Sequence, residues 1–157
     1  VMKVTNQLVS GYQIASAGGF LLVLATNATA IGTFSSAILA LIAGLNLIAG
    51  IGLLKHVRWA TRLSLGNMIA QIPQLNAENF TYGYSGVGDL FLFAKIHPAS
   101  GTFLFGPYLQ FSPGSFFFGF VGVVQGFELY FGVLAAVFSA FLARTLSSNS
   151  LPQNSNA

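Results

Sequence analysis

Residues 116–142 read Phe116-Phe117-Phe118-Gly119-Phe120-Val121-Gly122-Val123-Val124-Gln125-Gly126-Phe127-Glu128-Leu129-Tyr130-Phe131-Gly132-Val133-Leu134-Ala135-Ala136-Val137-Phe138-Ser139-Ala140-Phe141-Leu142, and Arg144 follows shortly after. A helix needs about 20 apolar residues to cross a bilayer, and this run, interrupted by one acid, is long enough. Wound as a helix, Phe120, Val124, Phe127, Phe131, Leu134, Phe138 and Phe141 form one stripe. Gly122, Gln125, Glu128, Gly132, Ala135, Ala136 and Ser139 form another. Small and polar side chains let helices approach closely in lipid, so the Phe stripe should face lipid or an outside partner and the small stripe a bundle. The fold class expected on this reading is an all-α integral membrane protein.

Composition points the same way. The chain has 157 residues, 54% hydrophobic and 6% charged, with a mean hydropathy of +0.74. A soluble domain carries about 25% charged residues to solvate its surface, and nine charged side chains cannot do so here. Disordered and nucleic-acid-binding chains, which need many charges, are excluded as well. The basic pI near 9.5 rests on a net charge of only +3. No cysteine is present, which rules out disulfides and thiolate chemistry.

Working outward, no charged residue lies between Lys3 and Lys55, room for two crossings at residues 8–26 and 34–54 with a polar break at 26–33. The head of the chain also fits a signal peptide with an Ala28-Thr29-Ala30 cleavage motif, a reading less favoured than a helix. The basic turn Lys55-His56-Val57-Arg58-Trp59-Ala60-Thr61-Arg62 leads into a third, amphipathic segment at 59–75, ending near Pro73. If that segment spans, Lys3, Lys55, Arg58, Arg62 and Arg144 share one side and Lys95 lies opposite, the asymmetry of the positive-inside rule. The expected topology is a four-transmembrane-helix bundle in the cell membrane, multi-pass, with both termini cytoplasmic.

Residues 76–115 form an aromatic-rich outer segment. Its β-prone runs at 89–96 and 102–111 flank His97-Pro98-Ala99-Ser100-Gly101, which reads as a short hairpin between helices three and four. Asn27-Ala28-Thr29 and Asn79-Phe80-Thr81 match the glycosylation pattern, and 147–157 reads as a mobile polar tail of a single polytopic domain.

Glu128 stands out, since a charged side chain at a helix centre costs roughly 2.5–3.5 kcal/mol on insertion scales. It is expected to be protonated by burial unless paired, in an intramembrane polar cluster with Gln125, Asn67, Gln71 and Asn46. The bland alternative is a set of interhelical hydrogen bonds. Lys55, Arg58 and Arg62 form an inner basic turn. His56 and His97 fall on opposite sides of about 30 Å of hydrocarbon and cannot share a metal within one chain. No Walker loop, dinucleotide fingerprint, HExxH or nucleophile elbow occurs, and Asp89, His97 and the nearby serines do not make a triad.

Gly50-Ile51-Gly52-Leu53-Leu54 followed by Arg58-Trp59-Ala60-Thr61-Arg62 resembles the turn between the second and third helices of DoxX-type proteins. Those are small four-helix membrane proteins, some linked to quinone-dependent sulfur oxidation. The acid that family often carries before its GG is missing here, and the aromatic outer segment departs from its pattern. Three functions are weighed. The first is a non-catalytic subunit of a larger membrane complex, contributing helix packing and an outer docking surface. The second is a small transporter or proton-conducting bundle built on Glu128 and the amides. The third is a quinone- or haem-associated redox subunit. No catalytic residue, metal or cofactor is expected. The expected partners are the lipid bilayer and other membrane subunits or a homo-oligomer, with no nucleic acid.

Overall fold

A computed structural model describes residues 2–27, 31–77, 79–98, 100–119 and 126–148. The element order is α1 (Met2–Asn27), α2 (Thr33–Leu54), α3 (Arg58–Gln71), β1 (Pro73–Ala77), β2 (Phe80–Ser85), β3 (Gly88–His97), β4 (Thr102–Phe111), β5 (Ser115–Gly119), β6 (Phe127–Gly132) and α4 (Val133–Ser148). Val4–Asn27 and Thr33–Leu54 are long and apolar enough to cross a membrane. They pack closely because Gly50 has no side chain: a Cβ there would lie 2.8 Å from Ile14 Cγ1. The Ser10 hydroxyl donates to the Gly50 carbonyl at 2.6 Å across the same contact.

Two layers of core follow each other along this hairpin. In the first, Val9, Leu53, Met68 and Leu142 meet, one from each of the four helices. In the second, Phe20, Leu39 and Ala43 pack on Tyr84 of β2. The sheet thus takes the place of α3 and α4 beside the further halves of α1 and α2, because α3 runs into β1 and β6 runs into α4. Pro73 sets the first of these changes. It lacks an N–H and cannot extend the helical ladder, so α3 stops, with Ile72 still in a helical conformation, and the chain extends from Pro73 onward.

The sheet is antiparallel throughout, in the order β4-β3-β6-β1-β2-β5. Opposed residues share a face, so the register sorts the side chains. Asp89, Lys95, Gln110, Glu128, Tyr130, Gln74, Asn76, Thr81 and Ser85 lie on one face. The other carries Leu90, Leu92, Ile96, Phe105, Leu109, Leu129 and Phe131, with no charged or amide side chain among the paired residues. The usual exposure is inverted. Asp89, Gln74 and Ser85 are buried, whereas Phe105 is 67% and Leu109 58% exposed. A soluble monomer rarely exposes a contiguous apolar surface of this extent.

The all-α four-helix reading is therefore corrected to a mixed α/β fold, with four helices and a six-stranded sheet among the described residues. The third segment, expected over 59–75, is a helix of 14 residues followed by β1. It spans about 21 Å at 1.5 Å per residue, against about 30 Å of hydrocarbon. The fourth, expected over 116–142, consists of β5, β6 and a 16-residue α4, with 120–125 outside the described residues. A continuous apolar run suits a buried strand as well as a helix, and Phe127-Glu128-Leu129-Tyr130-Phe131 alternates as a strand should. The outer segment is not a short hairpin on a bundle: β3 and β4 are two of six strands, and β6 lies between β3 and β1. With two membrane-length helices among the described residues, the four-crossing multi-pass topology and the cytoplasmic placement of both termini fall. So does the small helix-packing subunit, since most of residues 73–132 builds a sheet.

Candidate functional site

Polar side chains gather where α1, α2 and α3 meet the start of the sheet. Asn46 of α2, Asn67 of α3 and Tyr84 of β2 close a ring of hydrogen bonds. Asn67 Nδ2 donates to Asn46 Oδ1 at 2.8 Å, Asn46 Nδ2 to the Tyr84 hydroxyl oxygen at 2.7 Å, and that hydroxyl to Asn67 Oδ1 at 2.5 Å. Burial pushes the Tyr84 hydroxyl up to about 12, although the Asn46 and Asn67 bonds act the other way. The ring is complete within the protein and holds three elements in place. Each of the three side chains both donates and accepts within it, so its role is to position them.

Next to it the bonding is incomplete. Gln71 is fully buried at the end of α3, and its Oε1 accepts from the Tyr12 hydroxyl at 3.0 Å. Asp89, at the start of β3, is 2% exposed. Its Oδ1 accepts the Leu134 backbone N–H at 3.0 Å, so a strand carboxylate caps the N-terminus of α4, where helix N–H groups favour an anion. Its Oδ2 is buried without a partner. Desolvation dominates, pushing the carboxyl from 3.8 up to about 6 against the Leu134, Leu90 and Ala135 backbone bonds.

Gly132 makes this arrangement possible. A Cβ there would stand 2.7 Å from Asp89 Oδ2 and 2.9 Å from the Gln71 carbonyl oxygen, so two acceptor oxygens lie against one bare Cα. Asp89 also lies in the wall of an open-mouthed cavity of about 550 Å³. Tyr12, Val87, Leu90, Leu109, Phe111 and Leu134 form its other walls, nearly all apolar. That volume lies within the range of sites for small molecules, which combine apolar walls with a few placed polar groups. The arrangement suits a lipophilic body with a hydrogen-bond-donating head.

The residues singled out above separate. Asn46, Asn67 and Gln71 converge as described. Glu128 is not at a helix centre: it lies on β6, ion-paired with Lys95 of β3, and Asn76 and Tyr130 donate to its Oε2 at 3.2 Å each. The Lys95 bond holds its carboxyl below the ordinary range, the paired case in which burial does not protonate it, and a bundle-centred proton path has no basis in this position. Gln125 lies outside the described residues. Lys55, Arg58 and Arg62 occupy the α2–α3 turn and the first turns of α3, and His56 sits in that turn while His97 ends β3. Among the described residues no group of three or more His, Cys, Asp or Glu could hold a metal ion.

Asp89 escaped the sequence reading because nothing local marks it. The available signal was that it is one of three acids in the chain, followed by the apolar Leu90-Phe91-Leu92-Phe93. Compared with known proteins, the chain matches no family model, no curated protein and no solved structure. The DoxX resemblance stays confined to one turn.

Proposed function

We propose that this protein is a membrane-associated binding protein for a lipid-soluble molecule with a hydrogen-bond-donating, preferably cationic, head group. One observation carries the reading: Asp89, whose buried carboxylate has one unpartnered oxygen, borders an apolar cavity. A buried charge is costly unless paired, and a cationic or hydroxyl head would supply the missing partner. The two apolar helices would hold the cavity within reach of lipid, where such molecules concentrate. The outward apolar face of the sheet fits the same surroundings. Binding rather than catalysis is the reading, because among the described residues Asp89 and Tyr12 are the only ionisable ones bordering an otherwise apolar cavity.

Thermal unfolding of the detergent-solubilised full chain near pH 8 tests it, with dodecylamine, 1-dodecanol and dodecane as probes. A ligand that binds only the folded state raises the midpoint with concentration. Dodecylamine should stabilise most, dodecanol less and dodecane least, and Asp89→Asn should abolish the advantage of the amine. Equal stabilisation by all three, or none by any, refutes the site.

A further inference from the structure

A second cleft, bordered by Asn67 and Tyr84 of the polar ring, has different chemistry. It measures about 400 Å³ and runs between α2, α3 and the sheet, with Leu45, Leu63, Gly66, Ala70 and Phe116 among its walls and Arg62 in its lining. Asn67 and Tyr84 also line it, each already donating and accepting within the ring. We propose that this cleft binds one anionic phospholipid, its phosphate on Arg62 and part of one acyl chain along α3.

Three observations converge. The first is charge. Arg62 is exposed, it stands one turn after Arg58 and Lys55 is close by in sequence. Neither described acid is available to it, since Glu128 pairs with Lys95 and Asp89 caps α4. The second is length. Arg62 to Ala70 is about 12 Å of helix, less than half of the roughly 30 Å hydrocarbon core, so the cleft suits a chain from a single leaflet. The third is the lining at its middle. Gly66 is exposed, and a Cβ added there would meet nothing within 4 Å, so the groove floor is open where a chain would lie. Trp59, half-exposed and three residues before Arg62, suits the headgroup depth at which tryptophans concentrate. Basic pockets beside membrane helices bind lipid phosphates in this way.

Trp59 is the only tryptophan in the chain and reports on its own neighbourhood. The full chain is reconstituted in vesicles of phosphatidylcholine and phosphatidylglycerol at four to one, with one or the other lipid brominated, and Trp59 quenching is measured. Brominated phosphatidylglycerol should quench as though about fivefold enriched over its bulk share, the effect of one basic residue near anionic lipid. Arg62→Gln should bring quenching close to the bulk share, and Arg144→Gln should not. Gly66→Leu fills the groove, leaves Arg62 in place and favours helix, so a folded variant is expected; it too should lose the enrichment. Inorganic phosphate should not compete. No enrichment in the wild type overturns the proposal. So does enrichment that survives Arg62→Gln, which would assign it to the basic turn as a whole. Enrichment lost in Arg62→Gln but kept in Gly66→Leu, or abolished by inorganic phosphate, overturns the chain-binding cleft and leaves only a surface contact.

Discussion

Replacing Asp89 with asparagine should make the protein more stable near pH 8, although it removes a group that caps a helix. The folded state holds this carboxyl at about 6 and the ordinary value is 3.8. The difference, 6 − 3.8, corresponds to about 3 kcal/mol at 1.36 kcal/mol per pH unit. The sign follows from proton linkage. Between 3.8 and 6 the folded chain binds the proton more tightly than the unfolded chain, so stability falls as pH rises through that window. Above about pH 6 the full cost of the buried charge is present; below 3.8 it vanishes. Asparagine keeps an acceptor for the Leu134 N–H and places a donor beside the Gln71 carbonyl oxygen, which lies with Oδ2 against Gly132. The assay is thermal unfolding of both proteins in detergent, followed by circular dichroism at about pH 8 and again near pH 4. An upper bound of about 3 kcal/mol corresponds to roughly 6–12 °C in a chain of this size. The gain should be largest near pH 8 and nearly absent near pH 4. A variant less stable than the wild type near pH 8, or a gain independent of pH, would refute the claim that an uncompensated carboxylate is buried here.

Three further outcomes follow from the geometry. Tyr84→Phe opens the Asn46–Asn67–Tyr84 ring and leaves a buried donor and acceptor unpaired. It should cost about 1–3 kcal/mol, read as a lowered unfolding midpoint, with near-neutral behaviour counting against the ring. Met68→Ala empties the one layer where all four helices meet, and a loss of about 2–5 kcal/mol is expected; a loss below 1 kcal/mol would place that layer elsewhere. His56 is the one described non-glycine residue with positive φ, 55°, in the turn where the Val57 N–H donates to the Gly52 carbonyl at 3.0 Å. His56→Gly should stabilise by about 0.5–1 kcal/mol, because glycine carries no Cβ penalty in that conformation, and a destabilised variant would show that the imidazole itself contributes.

How far the sequence could be read varied along the chain. Helices α1 and α2 follow from two long uncharged runs, since a long segment with no strand-like alternation closes its own hydrogen bonds as a helix. The runs at 89–96 and 102–111 fall within β3 and β4, because turn residues bracket them. The last apolar run was misread because its helical stripe and its strand alternation coexist. Phe127, Phe131 and Leu134 fit the first, and Glu128 with Tyr130 against Phe127, Leu129 and Phe131 fits the second. Asn46, Asn67 and Gln71 stand out as polar residues in apolar helices, but Tyr84, which joins the first two, comes from a strand.

Apolarity, scarcity of charge, the two long helices and the basic turn at residues 55–62 are properties of the linear chain, because each depends on composition or local spacing. The identity of residues 115–119 and 127–132 is not. A helix satisfies its backbone within itself, whereas β6 is a strand only because β1 and β3, tens of residues earlier, supply its hydrogen bonds. Asp89 likewise acquires its chemistry from α4, Gln71 and Gly132, none of them near it in sequence. Folding decides which acid is paired and which is left short of a partner. Here Glu128 gains Lys95 across one register position, and Asp89 gains a helix end and an unfilled oxygen.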